Sequence, residues 1–555
     1  MTKVQFALSD FKNQGLSLED LEKAVPGIGM EVDGASDESI KIDITPNRPD
    51  LLSFDGLVNA ALMYLGRRKP DAEKYTSPTE AELSIQVDPS VRRRRPFIAG
   101  IVVHGANLSG KRFRYLIDFS EKLSDGYGRK RAKLALGIHN LKSIKGEVRY
   151  LAGKDSFVPL GRREKMDFDT TIRELEKGKE YSHIVADKSG NYPYLRDSEK
   201  VLSLIPIINS EASKIDPKSG ELFIDVTGIS QAAVNAATDI LACSFIMGGA
   251  KIGRVEVKYG WNGKSDITPH LEVRSESVGL HYIQKSLGFY LDGNRIAALS
   301  ERMGHISYIY GKKLIVKSAP YRTDILSAQD IVEDIAMAYG FDRIDPLPVA
   351  GYSFGSVGRL TEMYELASEI MVGMGYTEVI NNYLTSSEAC FYKMGRQFDK
   401  NSTISVEYSK TENMSMLRDI VLPSLMGNLS SSSKEPLPIS IFEFGSAFRM
   451  DGRKANEMHK LAFAKENSRV NIAEAAAVVK EFCIRFYGME PEFRSSEEPF
   501  FIKGRCSEII LDGESIGKIG EISPTILRNF LLSDPVCAGE IRIFDLKEAT
   551  KGHKA

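Results

Sequence analysis

Residues 320–345, PYRTDILSAQDIVEDIAMAYGFDRID, leave this chain little freedom in how it folds. Ser327, followed three residues later by Asp330, makes a capping box, in which two side chains satisfy the amides left without partners at a helix start. Ile331, Ile335 and Ala338 then recur at i, i+4 and i+7, an apolar stripe that has to face a core. Gly340 ends the helix, because glycine accepts the left-handed conformation at that position. Upstream, Tyr321, Arg322 and the apolar Ile325 and Leu326 read as extended chain. The other face of the helix carries Asp330, Glu333 and Asp334 within one turn, with Asp324 just before it. Acids are welcome near a helix N-terminus, where the dipole is positive. Four so close together repel unless they share a hard cation, and carboxylates of this kind suit magnesium. A solvated acidic first turn is the plainer alternative on these residues alone.

A chain of 555 residues is too long for one core and suggests roughly three to five domains. Net charge is −2, so a surface for a polyanion has to be a local patch. Cys243, Cys390, Cys483, Cys506 and Cys537 are scattered without a C-x-x-C pair, which argues against a zinc site or a disulfide framework and for a reducing compartment. The start MTKVQFALSD is not a signal peptide, and no apolar run approaches the ~20 residues of a membrane span. A cytoplasmic protein without a membrane partner is expected.

Residues 1–90 read as a small α/β domain. SLEDLEKAV is amphipathic, with Ser17 and Asp20 as its capping pair, and SIKIDIT alternates as a strand. The string Thr45-Pro-Asn-Arg-Pro-Asp50 is dense in turn formers and leads into a helix with Leu57, Ala61 and Tyr64 on one face. Composition shifts at VRRRR, residues 91–95, which reads as a solvated linker or a patch for an anionic partner. Residues 91–263 begin with a decoy: a strand, then Gly105-x4-Gly110-Lys111, almost a phosphate-binding loop. That motif needs Ser or Thr after the lysine to ligate magnesium, and Arg112 stands there instead. A turn between strand and helix accounts for the string, and a P-loop-like nucleotide-dependent enzyme remains the alternative.

Arg129-Lys130-Arg131 and Lys133, beside Tyr127 and His139, make either a solvated basic face or a surface for phosphate. With the arginines at 91–95 they also leave open a stand-alone nucleic-acid-binding adaptor. IPIIN and LFIDVTG read as strands. Asn209, Ser210, Glu211, Asp225 and Thr227 put polar side chains at or near their ends, where such groups are either internally hydrogen-bonded or functional. Residues 264–348 hold short strands and a helix from Asn294 to Met303, which suggests a winged-helix-like module closed by residues 320–345. Residues 349–555 start with a long amphipathic helix, marked by Leu360, Tyr364, Ala367 and Met371, that runs into a strand.

Several of these strings, in order, resemble the β subunits of phenylalanyl-tRNA synthetase of the archaeal and eukaryotic type. T-P-N-R-P-D at 45–50 is similar to that family's N-terminal signature. Gly178-Lys-Glu-Tyr-Ser-His183, Ile207-Ile-Asn-Ser-Glu211 and Phe223-Ile-Asp-Val-Thr-Gly228 resemble its editing domain. D-x-x-E-D and A-x-A-Y-G at 330–340 resemble its magnesium-binding helix. In the last segment, a helix followed by Phe442-Glu-Phe-Gly-Ser-Ala-Phe448 is similar to a class II synthetase core, and Phe501–Cys506 and Ile516–Pro524 match the end of that domain.

The resemblance implies a multidomain α/β and α+β chain: an N-terminal domain at 1–90, an editing, tRNA-binding domain at 91–263, a winged-helix-like magnesium-binding module at 264–348, and a class II synthetase-like antiparallel-sheet domain at 349–555. It implies that Asp324, Asp330, Glu333 and Asp334 bind Mg2+. It implies, too, an (αβ)2 heterotetramer in which the α subunit takes ATP and phenylalanine and charges tRNA(Phe). An active class II site needs an arginine in F-R-x-E and another in a glycine-rich helix start near the C-terminus. Neither string occurs, and the HIGH and KMSKS strings of the other synthetase class are absent as well, so the last domain is expected to be catalytically silent. The editing role has a physical motive, since an apolar phenylalanine pocket rejects the extra hydroxyl of tyrosine poorly. A second site can bind that hydroxyl through Asp225, with Asn209, Ser210, Thr227 and His183 positioning the ester and a water, and Glu211 beside them. No Ser-His-Asp motif is present, so a directly attacking water is the simpler chemistry.

Overall fold

A computed structural model describes residues 2–185, 190–349, 351, 353–407, 409 and 411–544. The chain divides into two compact units, Met1–Pro348 and Val349–Ala555. The first begins with a three-stranded antiparallel sheet whose central strand, Ser39–Ile44, alternates between core and surface and lies between Thr2–Ala7 and Glu31–Ala35. The helix Leu18–Gly27 carries the expected reciprocal cap between Ser17 and Asp20. Ser53 caps the helix Phe54–Tyr64, in which Leu57, Ala61 and Tyr64 are buried as their spacing predicts.

A ten-stranded sheet forms the bulk of the unit. Its inner strands Phe97–His104 and Glu221–Gly228 are buried almost throughout, as expected of strands covered on both faces. Glu221–Gly228 pairs antiparallel with Phe97–His104 on one side and with Leu134–Asn140 on the other. The sheet also takes in Ala81–Val87 and Ser265–Thr268, from either side of the 91–263 segment. The helix Gln231–Met247, capped by Ser230, packs on its face. IPIIN is not one strand: residues 205–207 turn, and only Ile208–Asn209 pairs, because the chain must leave the edge strand Val201–Leu204 and return antiparallel to it.

A second three-stranded antiparallel sheet, centred on Lys313–Ser318, is packed by the helices Leu280–Leu287, Gly293–Arg302 and Ala328–Tyr339. The helix Ala328–Tyr339 has the capping box of Ser327 and Asp330, and Ile331, Ile335 and Ala338 are buried. Arg322 and Asp324, expected in extended chain, lie in a turn that folds them back under the helix.

The second unit is a seven-stranded sheet, antiparallel except where Thr377–Glu378 joins Ile439–Asp451 in parallel. The helix Arg359–Gly373 buries Met363, Ala367, Ile370 and Met371, whereas Leu360, expected on the core face, is 44% exposed. That helix leads into a strand of two residues only. Arg418 is buried against Glu443 at 2.7 Å, on the strand that carries the F-E-x-G string. Residues 545–555, part of the C-terminal tail without the arginine string of an active class II site, lie outside the described residues. Among the described residues no helix is long and apolar enough to cross a membrane.

Candidate functional site

The principal cavity of the first unit, about 380 Å³, opens against the strands Glu221–Gly228, Leu134–Asn140 and Val201–Leu204. Its floor is polar. Asp225 and Thr227 sit in the middle of a fully paired inner strand rather than near its end, and both are 1% exposed. His139 Nε2 lies 3.0 Å from Asp225 Oδ1 and its Nδ1 lies 2.8 Å from Ser213 Oγ, which fixes the ring between two partners. Among the described residues Asp225 Oδ2 takes part in no hydrogen bond, so one carboxylate oxygen is held and the other is left for a ligand. Gly137 stands opposite Asp225 in register, and a Cβ there would come within 2.3 Å of Asp225 Oδ1. The bare backbone is what makes room for the carboxylate.

Arg95, the last residue of the VRRRR run, is neither linker nor patch. It is 2% exposed, and its Nε donates to Thr227 Oγ1 at 3.0 Å while Nη2 donates to Thr227 O at 2.8 Å. Burial pushes its guanidinium down to about 10, opposed by the nearby Tyr150 and Asp225, so it stays charged at neutral pH and offsets the buried carboxylate. Thr227 Oγ1 accepts from Arg95 and is free to donate its own proton. Ser203 adds to the wall: it is 2% exposed, lines the cavity, and its hydroxyl has no hydrogen-bond partner among the described residues. A buried polar atom left without a partner costs about 1–3 kcal/mol, so an incoming polar group gains by meeting it.

The expected editing residues do not all converge here. Asn209 lines the cavity, its Nδ2 donating to Ile138 O at 3.1 Å and its Oδ1 left for an incoming donor. Ser210 is buried but points elsewhere, accepting from Ala212 N at 3.2 Å as a turn cap. Glu211 accepts from Gly161 N at 2.7 Å and pairs with Lys214 at 3.1 Å, contacts that hold its carboxyl below the usual range. His183 is exposed on the helix Glu176–Val185 and is not part of the cavity wall. Ser210 and Glu211 follow the strand that ends at Asn209 and enter a short 3-10 turn, which carries them away from the cavity. Arg95 and His139 escaped the sequence reading because their partners lie 36 to 132 residues away, and Ser203 escaped it because no neighbouring residue marks its hydroxyl as unpaired.

Arg131, on the cavity wall, ends a left-handed run with Arg129 and Lys130, with φ of 51°, 49° and 65° for residues 129 to 131. Non-glycine residues in that region cost of order 1–3 kcal/mol each and persist only where surroundings fix them. Here Arg95 Nη1 donates to Arg131 O at 3.0 Å, while Arg131 Nη1 donates to Pro206 O at 2.8 Å and stacks 4.5 Å from the Tyr181 ring centroid.

The four carboxylates of the acidic helix region do line one cavity, of about 220 Å³, together with Thr45, Asn47 and Arg48 of the T-P-N-R-P-D turn. Repulsion among them is not left to a metal. Arg322, fully buried, reaches Asp324 at 2.7 Å and Asp334 at 2.6 Å, and His305 Nε2 lies 2.6 Å from Asp334. Arg322 holds the Asp324 carboxyl well below the usual carboxylate range despite its burial. Asp330 Oδ2 is occupied by Leu326 N and Ser327 N at 2.8 and 2.6 Å. Among the described residues no three His, Cys, Asp or Glu side chains gather closely enough to enclose a metal ion. A closed shell of four ligands is therefore not what the fold provides. Arg322 nevertheless contacts only two of the four carboxylates, and Arg48, on the cavity wall, is paired with Asp50 at 2.8 Å. Magnesium keeps several waters and needs only one or two carboxylates. Exposed Glu333 and the second oxygen of Asp330, neither of which has a hydrogen bond or ion pair to another described residue, fit that requirement.

The decoy loop is accounted for internally. Lys111 Nζ lies 3.4 Å from Ser9 Oγ, and Arg112 pairs with Asp55 at 2.9 Å.

Known proteins resemble the chain along nearly its whole length. Residues 277–341 match the domain family described as tRNA synthetase B5 domain, and residues 346–543 match the one described as Phenylalanyl tRNA synthetase beta chain CLM domain. The chain is 34% identical to the phenylalanine–tRNA ligase beta subunit of Archaeoglobus fulgidus over 531 residues, 95% of each chain. It is 33% identical to the protein of the same description from Pyrococcus furiosus, over 98% of this chain and 99% of that one. The crystal structure of an N-terminal fragment of the phenylalanyl-tRNA synthetase beta subunit from Pyrococcus horikoshii matches with a TM-score of 0.58 and 32% identity, covering 61% of this chain and 99% of that one.

Proposed function

This chain belongs to the family of phenylalanine–tRNA ligase β subunits, and on that premise we propose that its 380 Å³ cavity hydrolyses tyrosine wrongly attached to tRNA(Phe). The observation that carries the proposal is the presence of a carboxylate, Asp225, and a hydroxyl without a partner among the described residues, Ser203, in the wall of one pocket. A phenolic hydroxyl donates to Asp225 Oδ2 and accepts from Ser203 Oγ. Phenylalanine offers neither group and leaves both unmet, which is how hydrogen-bonding sites discriminate strongly. Asn209 Oδ1 accepts from the attacking water, and Thr227 Oγ1 donates toward the ester. Water adds to the ester carbonyl, the bond to the terminal ribose oxygen breaks, and that oxygen takes up the proton released by the water.

In this reading the chain works in the cytoplasm in an (αβ)2 heterotetramer whose α subunit binds ATP and phenylalanine and charges tRNA(Phe). The second unit is a synthetase-like sheet without the chemistry. Exposed Leu360, Leu366 and Val372 of the helix Arg359–Gly373, and Ile380 beyond it, supply apolar surface for the α subunit. Expressed without α, the chain is expected to give no phenylalanine-dependent ATP–pyrophosphate exchange. Exchange catalysed by the chain alone would overturn the assignment of adenylation to the partner.

Magnesium has a structural place in this reading: Glu333 and Asp330 would hold it, and it would supply positive charge beside carboxylates that Arg322 does not contact. Saturating magnesium a hundredfold above its Kd would add about 2.7 kcal/mol to stability. Magnesium should raise the Tm of the chain relative to EDTA, and Glu333→Gln should lose most of that rise while keeping the same Tm in EDTA. A wild-type Tm indifferent to magnesium would mean that Arg322 alone closes the acidic pocket.

A further inference from the structure

We infer that the strained turn at residues 126–133 is a rail for the phosphates of a tRNA's single-stranded 3′ end, leading it into the cavity; this rests on the hydrolytic reading of that cavity. Three consecutive non-glycine residues with positive φ are held in place at considerable conformational cost. The hold is specific. Lys130 N donates to Asp125 O at 2.8 Å, Arg131 N to Ser124 O at 2.9 Å, and Lys133 N to Gly128 O at 2.8 Å. Arg131 is further tied to the carbonyls of Pro206 and Ile207 on the cavity rim.

A loop with no duty beyond joining a helix to a strand has cheaper conformations. What this one achieves is the display of Arg129 and Lys130, both exposed, and neither with an ion pair or hydrogen bond from its side chain to a described residue. Lys133, over the Tyr127 ring at 4.6 Å, continues the run. Lys177 and Lys214 line the cavity itself, each shared with a single exposed or half-exposed carboxylate, Glu121 and Glu211 at 3.1 Å. Positive charge thus runs from the turn to the pocket in a protein whose net charge is −2.

The shape selects a single strand. A cavity of about 380 Å³ admits an aminoacyl group and the sugar or base attached to it, and a duplex is far too wide. Half-buried Phe113, on the wall of the cavity, offers an aromatic face on which a terminal base can stack, a sequence-tolerant contact typical of single-strand binding. The amino acid then occupies the Asp225–Ser203 floor, the terminal nucleoside lies between Phe113 and Lys177, and the preceding phosphates follow Arg129 and Lys130.

The test uses Arg129→Gln/Lys130→Gln in the full complex with the α subunit. Both side chains are exposed and outside the cavity wall, so folding is preserved. Deacylated tRNA(Phe) binding is measured from 50 to 200 mM salt. Each phosphate contact on a single strand contributes about 0.7 to the slope of log affinity against log salt, so loss of two should flatten the slope by about 1.4 and weaken binding roughly fivefold to tenfold near 100 mM. With tyrosyl-tRNA(Phe), KM for deacylation should rise by a similar factor at unchanged kcat, while tyrosine methyl ester, which has no phosphate, is turned over as by wild type. An unchanged salt slope and affinity for tRNA overturns the rail. If the wild type fails to deacylate tyrosyl-tRNA, the hydrolytic reading falls instead, and the salt slope still decides whether the turn binds tRNA.

Discussion

Asp225→Asn in the complex with the α subunit is expected to let tyrosyl-tRNA(Phe) accumulate, with deacylation slowed about 10- to 150-fold. Asparagine keeps the volume of the side chain and can still meet His139, so the packing at Gly137 is undisturbed. What is lost is the charged acceptor at Oδ2. A hydrogen bond to a charged group is worth about 1.5–3 kcal/mol, and 1.4 kcal/mol corresponds to a factor of ten. Ser203→Ala removes a neutral contact worth about 0.5–1.5 kcal/mol, so its effect should be about 2- to 10-fold. It carries a second signature: because Ser203 Oγ has no partner in the folded chain, alanine there should leave the Tm unchanged or slightly raised. The two substitutions act on one hydroxyl and should not be additive. Tyrosyl-tRNA(Phe) deacylation at the wild-type rate by a folded Asp225→Asn complex would remove this cavity from consideration as the editing site.

How far the sequence made this legible follows the range of the interactions involved. Local devices were readable in full: the caps of Ser17 and Asp20 and of Ser327 and Asp330, and the stripe Ile331, Ile335 and Ala338, depend on neighbours within a turn or two. Asp225, Thr227 and Asn209 were found through the strings around them, and the fold does bring these three to one cavity. Ser210, Glu211 and His183 came from strings of the same kind and lie outside the cavity, because Ser210 and Glu211 turn away after the strand ends at Asn209 and His183 sits on the exposed side of a helix. Arg95 shows the opposite failure. Four adjacent arginines look like a solvated run, and nothing local distinguishes the one that crosses 132 residues to bind Thr227. The acidic cluster was located correctly but its charge balance was misjudged, since the turn at Arg322 that brings the guanidinium under the helix depends on burial against Met303 and His305.

That guanidinium is where a single substitution should cost the most. Arg322→Met fills much of the same volume but leaves Asp334, 3% exposed, and Asp324 without their shared cation. Breaking a buried ion pair by removing one partner typically costs 3–5 kcal/mol, because a buried charge is left uncompensated. The carbonyl of Met303, which accepts from Arg322 Nη1 at 2.7 Å, loses its donor as well. Arg322→Lys should recover only part of the loss, because one ammonium cannot reproduce the fork that spans two carboxylates and a carbonyl. The pH dependence identifies the cause. In the wild type, Arg322 depresses the carboxyl of Asp324, so this contribution is present above the unfolded value near ~3.9 and is lost as pH falls below it. In Arg322→Met the same carboxyls, buried and without the guanidinium, should titrate above the unfolded value, so the variant gains stability as pH falls from neutral through their raised range. The gap between the two proteins, followed by urea denaturation of the first unit's transition, should therefore be widest near pH 7 and narrow toward pH 5. Adding Asp334→Asn to Arg322→Met should restore part of the stability at pH 7, since it removes the charge that the first substitution stranded. A gap that stays constant with pH, with no gain from Asp334→Asn, would mean that Arg322 matters for its packing and not as the counter-charge of the acidic pocket.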